Sequence, residues 1–171
     1  MLLLCALIVG AGLRAQTLPT STVSLSGNPF PVAVNPATNK IYVASYNSGN
    51  VKVINGLTNA VIDTVTTGNQ PVSIAVNVVT NKIYVANFNG NNVTVIDGST
   101  DTPKTVSGLG NQPSAVVVNP VTNKIYVSSR ITSTVAVIDG LNDTVTKTIL
   151  VGDTPYSMAL NPVTNRLYVV N

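Results

Sequence analysis

Beyond residue 20 the chain sets short apolar runs between polar, turn-forming clusters, and it does so on a fixed beat. The stretch from Pro71 to Gln112 holds one full cycle. Val72 to Asn77 (Val-Ser-Ile-Ala-Val-Asn) is short and apolar and predicts an innermost strand. Val78 to Lys82 predicts a turn. Two other copies read Asn-Pro-Val-Thr-Asn there, with Pro suited to the second turn position and Asn to the left-handed one. Ile83 to Asn87 predicts the second strand, and Phe88 to Asn92 a Gly/Asn-rich connection. Val93 to Asp97 alternates apolar with polar residues and predicts the third strand. Asp97-Gly98 then opens a turn, where glycine is expected for its tolerance of positive φ. The outer strand is weak here, at Thr105 to Ser107, and clearer in other copies as Ala60 to Thr66 and Thr144 to Leu150. Spacing of 3.6 residues is lacking after residue 20, so almost no helix is expected.

The cycle is 42 residues long and does not drift. Tyr42, Tyr84, Tyr126 and Tyr168 keep that interval within the phrase Asn-Pro-x-Thr-Asn-Lys-Ile-Tyr-Val and its variants. Val-Ile-Asp/Asn-Gly recurs at Val53 to Gly56, Val95 to Gly98 and Val137 to Gly140, and a proline at Pro29, Pro71, Pro113 and Pro155. A repeat of about 40–45 residues with four strands is one blade of a β-propeller. The expected fold is therefore all-β, with four-stranded antiparallel blades at 29–70, 71–112 and 113–154 and a partial blade at 155–171. Thr20 to Ser26 reads as an outer strand ahead of the first blade. Closed propellers take about 4–8 blades. Some three and a half are present, which predicts an incomplete ring or a fragment of a longer protein. The alternative is two copies meeting edge to edge, since open blade edges invite self-association.

These units resemble the YVTN β-propeller repeat family. The resemblance rests on Ile41-Tyr42-Val43-Ala44-Ser45, Ile83-Tyr84-Val85-Ala86-Asn87, Ile125-Tyr126-Val127-Ser128-Ser129, Leu167-Tyr168-Val169-Val170-Asn171 and the third-strand phrase Asn92 to Asp97, and spans residues 20 to 171. It implies an exported or surface-associated bacterial or archaeal propeller, often of seven blades and with no assigned activity.

Composition narrows the chemistry. Charged residues are 9% of the chain, and His and Trp are absent. All six acidic residues are Asp. Lacking His, the chain has no copy of the commonest general base and metal ligand, and no cofactor is expected. The nine Lys and Arg are spread through the repeats, which argues against a nucleic-acid footprint. Leu2 to Leu13 is apolar, ends near the small residue Ala15, and is too short to span a bilayer. Residues 1–15 thus read as a signal peptide lacking the usual basic start, with a buried strand or helix as the alternative. That predicts export to the periplasm, cell surface or medium, with no transmembrane segment in the mature chain. Cys5, the sole cysteine, would leave with the leader.

Residues that recur in every unit are explained by the blade. The tyrosines are expected to pack between blades or to cap them with the hydroxyl outward, and Asp97 and Asp139 to sit in turns. Residues that vary collect on one face of the ring, in the connections after second and fourth strands. Tyr46, Phe88 and Arg130 stand at equivalent places there, and Phe30 and Tyr156 follow the repeated prolines. Asp153, also on this side, is expected near the mouth of the channel. Together they form a candidate binding face for a protein or glycan ligand. The favoured function is a non-catalytic extracytoplasmic binding or scaffold module. The alternative is a propeller hydrolase of lactonase type, its catalytic residues supplied by blades outside this chain.

Overall fold

The computed structural model describes residues 21–171, all in strands, turns and short irregular links. Blade 1 comprises β1 (Pro29–Asn35), β2 (Lys40–Ser45), β3 (Asn50–Asn55) and β4 (Val61–Thr66). Blade 2 comprises β5 (Pro71–Asn77), β6 (Lys82–Asn87), β7 (Asn92–Asp97) and β8 (Pro103–Val106). Blade 3 comprises β9 (Pro113–Asn119), β10 (Lys124–Ser129), β11 (Thr134–Asp139) and β12 (Thr144–Leu150), and a fourth, two-stranded sheet holds β13 (Ser157–Asn161) and β14 (Arg166–Val170). Each sheet is an antiparallel meander in chain order. The inner strands β1, β5, β9 and β13 lie side by side in that sequence, so the blades form an arc of a β-propeller.

The core lies between blades, because each sheet is apolar on both faces. Tyr42, Ala44 and Val53 of blade 1 meet Ile83, Val85 and Ile96 of blade 2. Tyr84, Ala86 and Val95, on the other face of blade 2, meet Ile125, Val127 and Ile138 of blade 3. Full burial of one such aliphatic side chain contributes about 1.5–3 kcal/mol, so each inter-blade layer outweighs any single polar contact. Tyr42 and Tyr84 are 0% exposed, in the expected inter-blade place. Tyr168 is 56% exposed, since no described blade covers β14. Burial pushes the pKa of Tyr42 and Tyr84 well above the ordinary tyrosine range, with Asp101 and Asp143 respectively adding to the effect.

Two expectations need correction. Residues 21–26 form no strand. Val23 and Leu25 instead lie against Ile41, Val43 and Ile54, on the face of blade 1 that no described blade covers. Their alternate spacing, which suggests a strand, serves burial without a ladder. The leader expected at 1–15, with Cys5 and Ala15, lies outside the described residues. The second correction concerns Gly98. Positive φ falls on Asn81 and Asp101, not on Gly98. Glycine is required because a Cβ there would stand 2.3 Å from Asn81 Oδ1 and 2.7 Å from its carbonyl oxygen. Gly56 and Gly140 are crowded in the same way by Asn39 and Asn123. In smaller adjustments, β8 begins at Pro103 and β4 at Val61.

The repeated Thr-Asn-Lys and Asp-Gly phrases prove to be joints. Asn81 accepts from Gly98 N at 2.8 Å through its carbonyl, tying the β5–β6 turn to the β7–β8 turn. Its side-chain oxygen accepts from Asn35 Nδ2 of blade 1 at 2.7 Å. Asn77 to Asn123 and Asn119 to Asn165 repeat that bridge at 2.9 Å. Lys40 donates to Gly98 O (3.0 Å) and Asp101 (2.7 Å), and Lys82 to Gly140 O (2.9 Å) and Asp143 (2.8 Å). Lys124, ahead of which the described residues supply only the two-stranded sheet and no β3–β4-type turn, pairs with Asp139 of its own blade at 2.7 Å. Asp97 and Asp139 cap their turns as expected, accepting from Ser99 N and Leu141 N at 2.8 Å. The Ser99 hydroxyl holds the Asp97 carboxyl below the usual range, and the Lys124 ammonium does so for Asp139.

Candidate binding site

On the opposite face, the starts of the inner strands and the connections beside them line an open cavity of about 500 Å³. One local device, repeated in three blades, builds its wall. The residue before each repeated proline takes a left-handed conformation: Asn28, Gln70 and Gln112 have φ of 58°, 55° and 56°. Their carbonyls then accept from Tyr46 N (3.0 Å), Phe88 N (2.8 Å) and Arg130 N (3.0 Å). The first residue of each β2–β3-type connection is thereby anchored beside the start of the inner strand. A register shift follows the proline in blades 1 to 3, between Pro29 and Val32 in β1, between Pro71 and Ser73 in β5 and opposite Ser128 and Ser129 in β9. Such a bulge interrupts the in–out alternation of a strand. Consecutive residues Val72 and Ser73, and likewise Ser114 and Ala115, therefore both reach the cavity wall.

Tyr46, Phe88, Arg130, Phe30 and Tyr156, five of the six residues singled out in the sequence, line this one cavity. Arg130 is its electrostatic centre. Its Cζ lies 6.0 Å from the centroid of Phe88 and 5.9 Å from that of Tyr156, within reach of cation–π attraction to both rings. No Asp lines the cavity, and among the described residues Arg130 makes no ion pair. Asp153 stands apart from the lining. It is exposed on the β12–β13 connection and accepts from Ser133 Oγ at 3.4 Å. Ser73, Ala115, Ser157 and Asn28 line the cavity and were not singled out in the sequence. Alternation allows one inward residue after each proline, and only the proline at the strand start hints at a bulge.

Two hydroxyls of the wall already have backbone partners. Ser114 Oγ donates to Pro155 O at 2.7 Å, and Ser73 Oγ accepts from Val116 N at 3.1 Å. The first contact joins blade 3 to the start of the fourth sheet and the second joins blade 2 to blade 3, so the wall is fixed by the scaffold. Among the described residues no three of His, Cys, Asp and Glu gather as metal ligands, and no helix is long and apolar enough to cross a membrane.

No family model and no curated protein matches the chain. Solved structures do. Hydrazine synthase of Kuenenia stuttgartiensis superposes with a TM-score of 0.78 at 20% identity, over 93% of this chain and 45% of that one. A functionally unknown protein from Desulfotomaculum acetoxidans gives 0.75 at 19% identity, over 92% and 54%. The WD40 repeats of RRP9 give 0.71 at 12% identity, over 80% and 43%. At these identities the likeness establishes the propeller fold alone. The chain spans about half the length of each of these structures.

Proposed function

We propose that this chain is an extracytoplasmic propeller of the YVTN type that binds a ligand through the aromatic and arginine-lined cavity and does no chemistry on it. One observation carries the reading. Positions that vary between otherwise regular repeats converge on a single cavity, while the positions that repeat are spent on joints between blades. Rings and an arginine held on a rigid frame are typical anchors of a binding surface. The absence of His and Glu from the chain supports a non-catalytic role, and the leader-like stretch Leu2–Leu13 supports export. Similarity to propellers as different as hydrazine synthase and RRP9 is consistent with a scaffold that serves many ends.

The test is an array of glycans and peptides probed with the purified full chain. Changing Tyr46, Phe88 and Arg130 together to Ala should weaken every specific signal by at least about tenfold, or ~1.4 kcal/mol. A control variant on the outer strand, Lys147→Ala, should leave the signals as they are. Equal binding by the triple variant would overturn the reading.

A further inference from the structure

The cavity carries a charge without a counter-charge. Arg130 is half-buried, no acidic residue lines the space around it, and no ion pair engages its guanidinium among the described residues. Phe88 and Tyr156 hold the cation by their ring faces, a contact that consumes none of its N–H donors. The donors stay available in the fixed planar fork that matches a carboxylate with two parallel hydrogen bonds. A single cation balances a monoanion. A phosphate monoester, at about −1.5 to −2 near neutral pH, would need a second basic group, and among the described residues Arg130 is the only basic one in the lining.

The remaining wall has two kinds of surface. Phe30, Phe88 and Tyr156 offer ring faces, Tyr46 and Ser157 offer hydroxyls, and Ser73, which accepts from Val116 N, offers its O–H donor. A sugar ring also has two kinds of surface, a C–H face that lies on aromatic rings and a hydroxyl edge that exchanges hydrogen bonds. A volume of about 500 Å³ suits a small ligand or the end of a chain, and lies within the usual range for such sites. We propose that the cavity takes a sugar acid, a uronate unit whose carboxylate pairs with Arg130 while its ring lies among Phe30, Phe88 and Tyr156. The alternation of rings and hydroxyls favours this over an acidic peptide. The inference rests on the binding reading above and names the ligand class for the same cavity.

Calorimetric titration of the full chain tests it, with trigalacturonate, its methyl ester, a neutral glucose trisaccharide, monomeric galacturonate and a glutamate hexapeptide as probes. Trigalacturonate should bind, and the ester and the neutral sugar should bind at least about tenfold more weakly. Arg130→Gln should lose the preference for acid over ester, while Arg130→Lys should keep part of it. Circular dichroism reports whether each variant is folded. Binding of the monomer at comparable affinity would place recognition in a single unit, and binding of the trimer alone would place it in the chain end; both support a uronate site. Equal binding of acid and ester, or an unaltered Arg130→Gln, would overturn the sugar-acid inference while leaving a binding cavity in place. Preference for the glutamate peptide would also overturn it. Absence of saccharide binding, with array signals that still depend on Tyr46 and Phe88, would overturn it as well.

Discussion

Single residues in this chain are constrained for reasons that differ from what their type suggests. Gly98 follows an aspartate in a turn, the usual setting for a glycine with positive φ. Its φ is ordinary, and space is the constraint, because Asn81 closes over it. Gly98→Ala would place a Cβ 2.3 Å from the Asn81 oxygen, so the turn or the asparagine must shift. Overpacking of that kind costs about 1–3 kcal/mol. Urea denaturation should show the midpoint falling with little change in slope. A loss below about 0.5 kcal/mol would mean that Asn81 yields freely. The recurrence of Gly was plain in the sequence, and its cause was not, since a contact between two turns of one blade has no signature in either turn alone. The same limit applies to Lys40 and Asp101, which lie 61 residues apart and meet only because neighbouring blades lie side by side.

Strands were the most legible elements. Alternating runs between turn signals placed the six strands given bounds to within a residue or two at their ends, and the 42-residue repeat placed the others blade by blade. Failure came at residues 21–26, where Val23 and Leu25 carry a strand-like pattern without a neighbouring ladder. Bulges at the inner strands were also hidden, and with them Ser73 and Ala115 of the cavity wall. Tyr46, Phe88 and Arg130 could be found because variation against a regular repeat is visible without any structure. Between elements, the lysine joints are unequal. Lys82 crosses to blade 3 and meets an Asp143 side chain that is 9% exposed, whereas the Lys124–Asp139 pair stays within one blade at 35% and 26% exposure. Lys82→Met should therefore cost about 1.5–3 kcal/mol, the range for hydrogen bonds to charged groups. Lys124→Met should cost about 0–1 kcal/mol, as for a surface pair. Parallel thermal melts of the two variants give the comparison, and equal losses would show that the inter-blade crossing adds nothing.

Across the molecule, stability should follow the number of neighbours each blade has. Blade 2 is packed on both faces, whereas β14 leaves Tyr168 and Val170 exposed at 56% and 62%. Backbone amides of β6 and β7 should exchange with solvent most slowly and those of β13 and β14 fastest, as expected where each repeat draws its stability from the next. Hydrogen exchange read by mass spectrometry would show the gradient, and uniform protection from β2 to β14 would refute it. The polar joints add a direction to this arc. Every bridging asparagine donates toward the following blade, from Asn35 to Asn81, Asn77 to Asn123 and Asn119 to Asn165, and Lys40 and Lys82 do the same. In these asparagine and lysine joints the two faces of a blade are thus complementary rather than alike, one donating hydrogen bonds and the other accepting them, although near the inner strand Val116 N donates back to Ser73 Oγ. Two such arcs could not meet donor face to donor face about a two-fold axis. Any union through these surfaces would have to be heterologous, head to tail, with the geometry that either closes a ring or propagates as a helix.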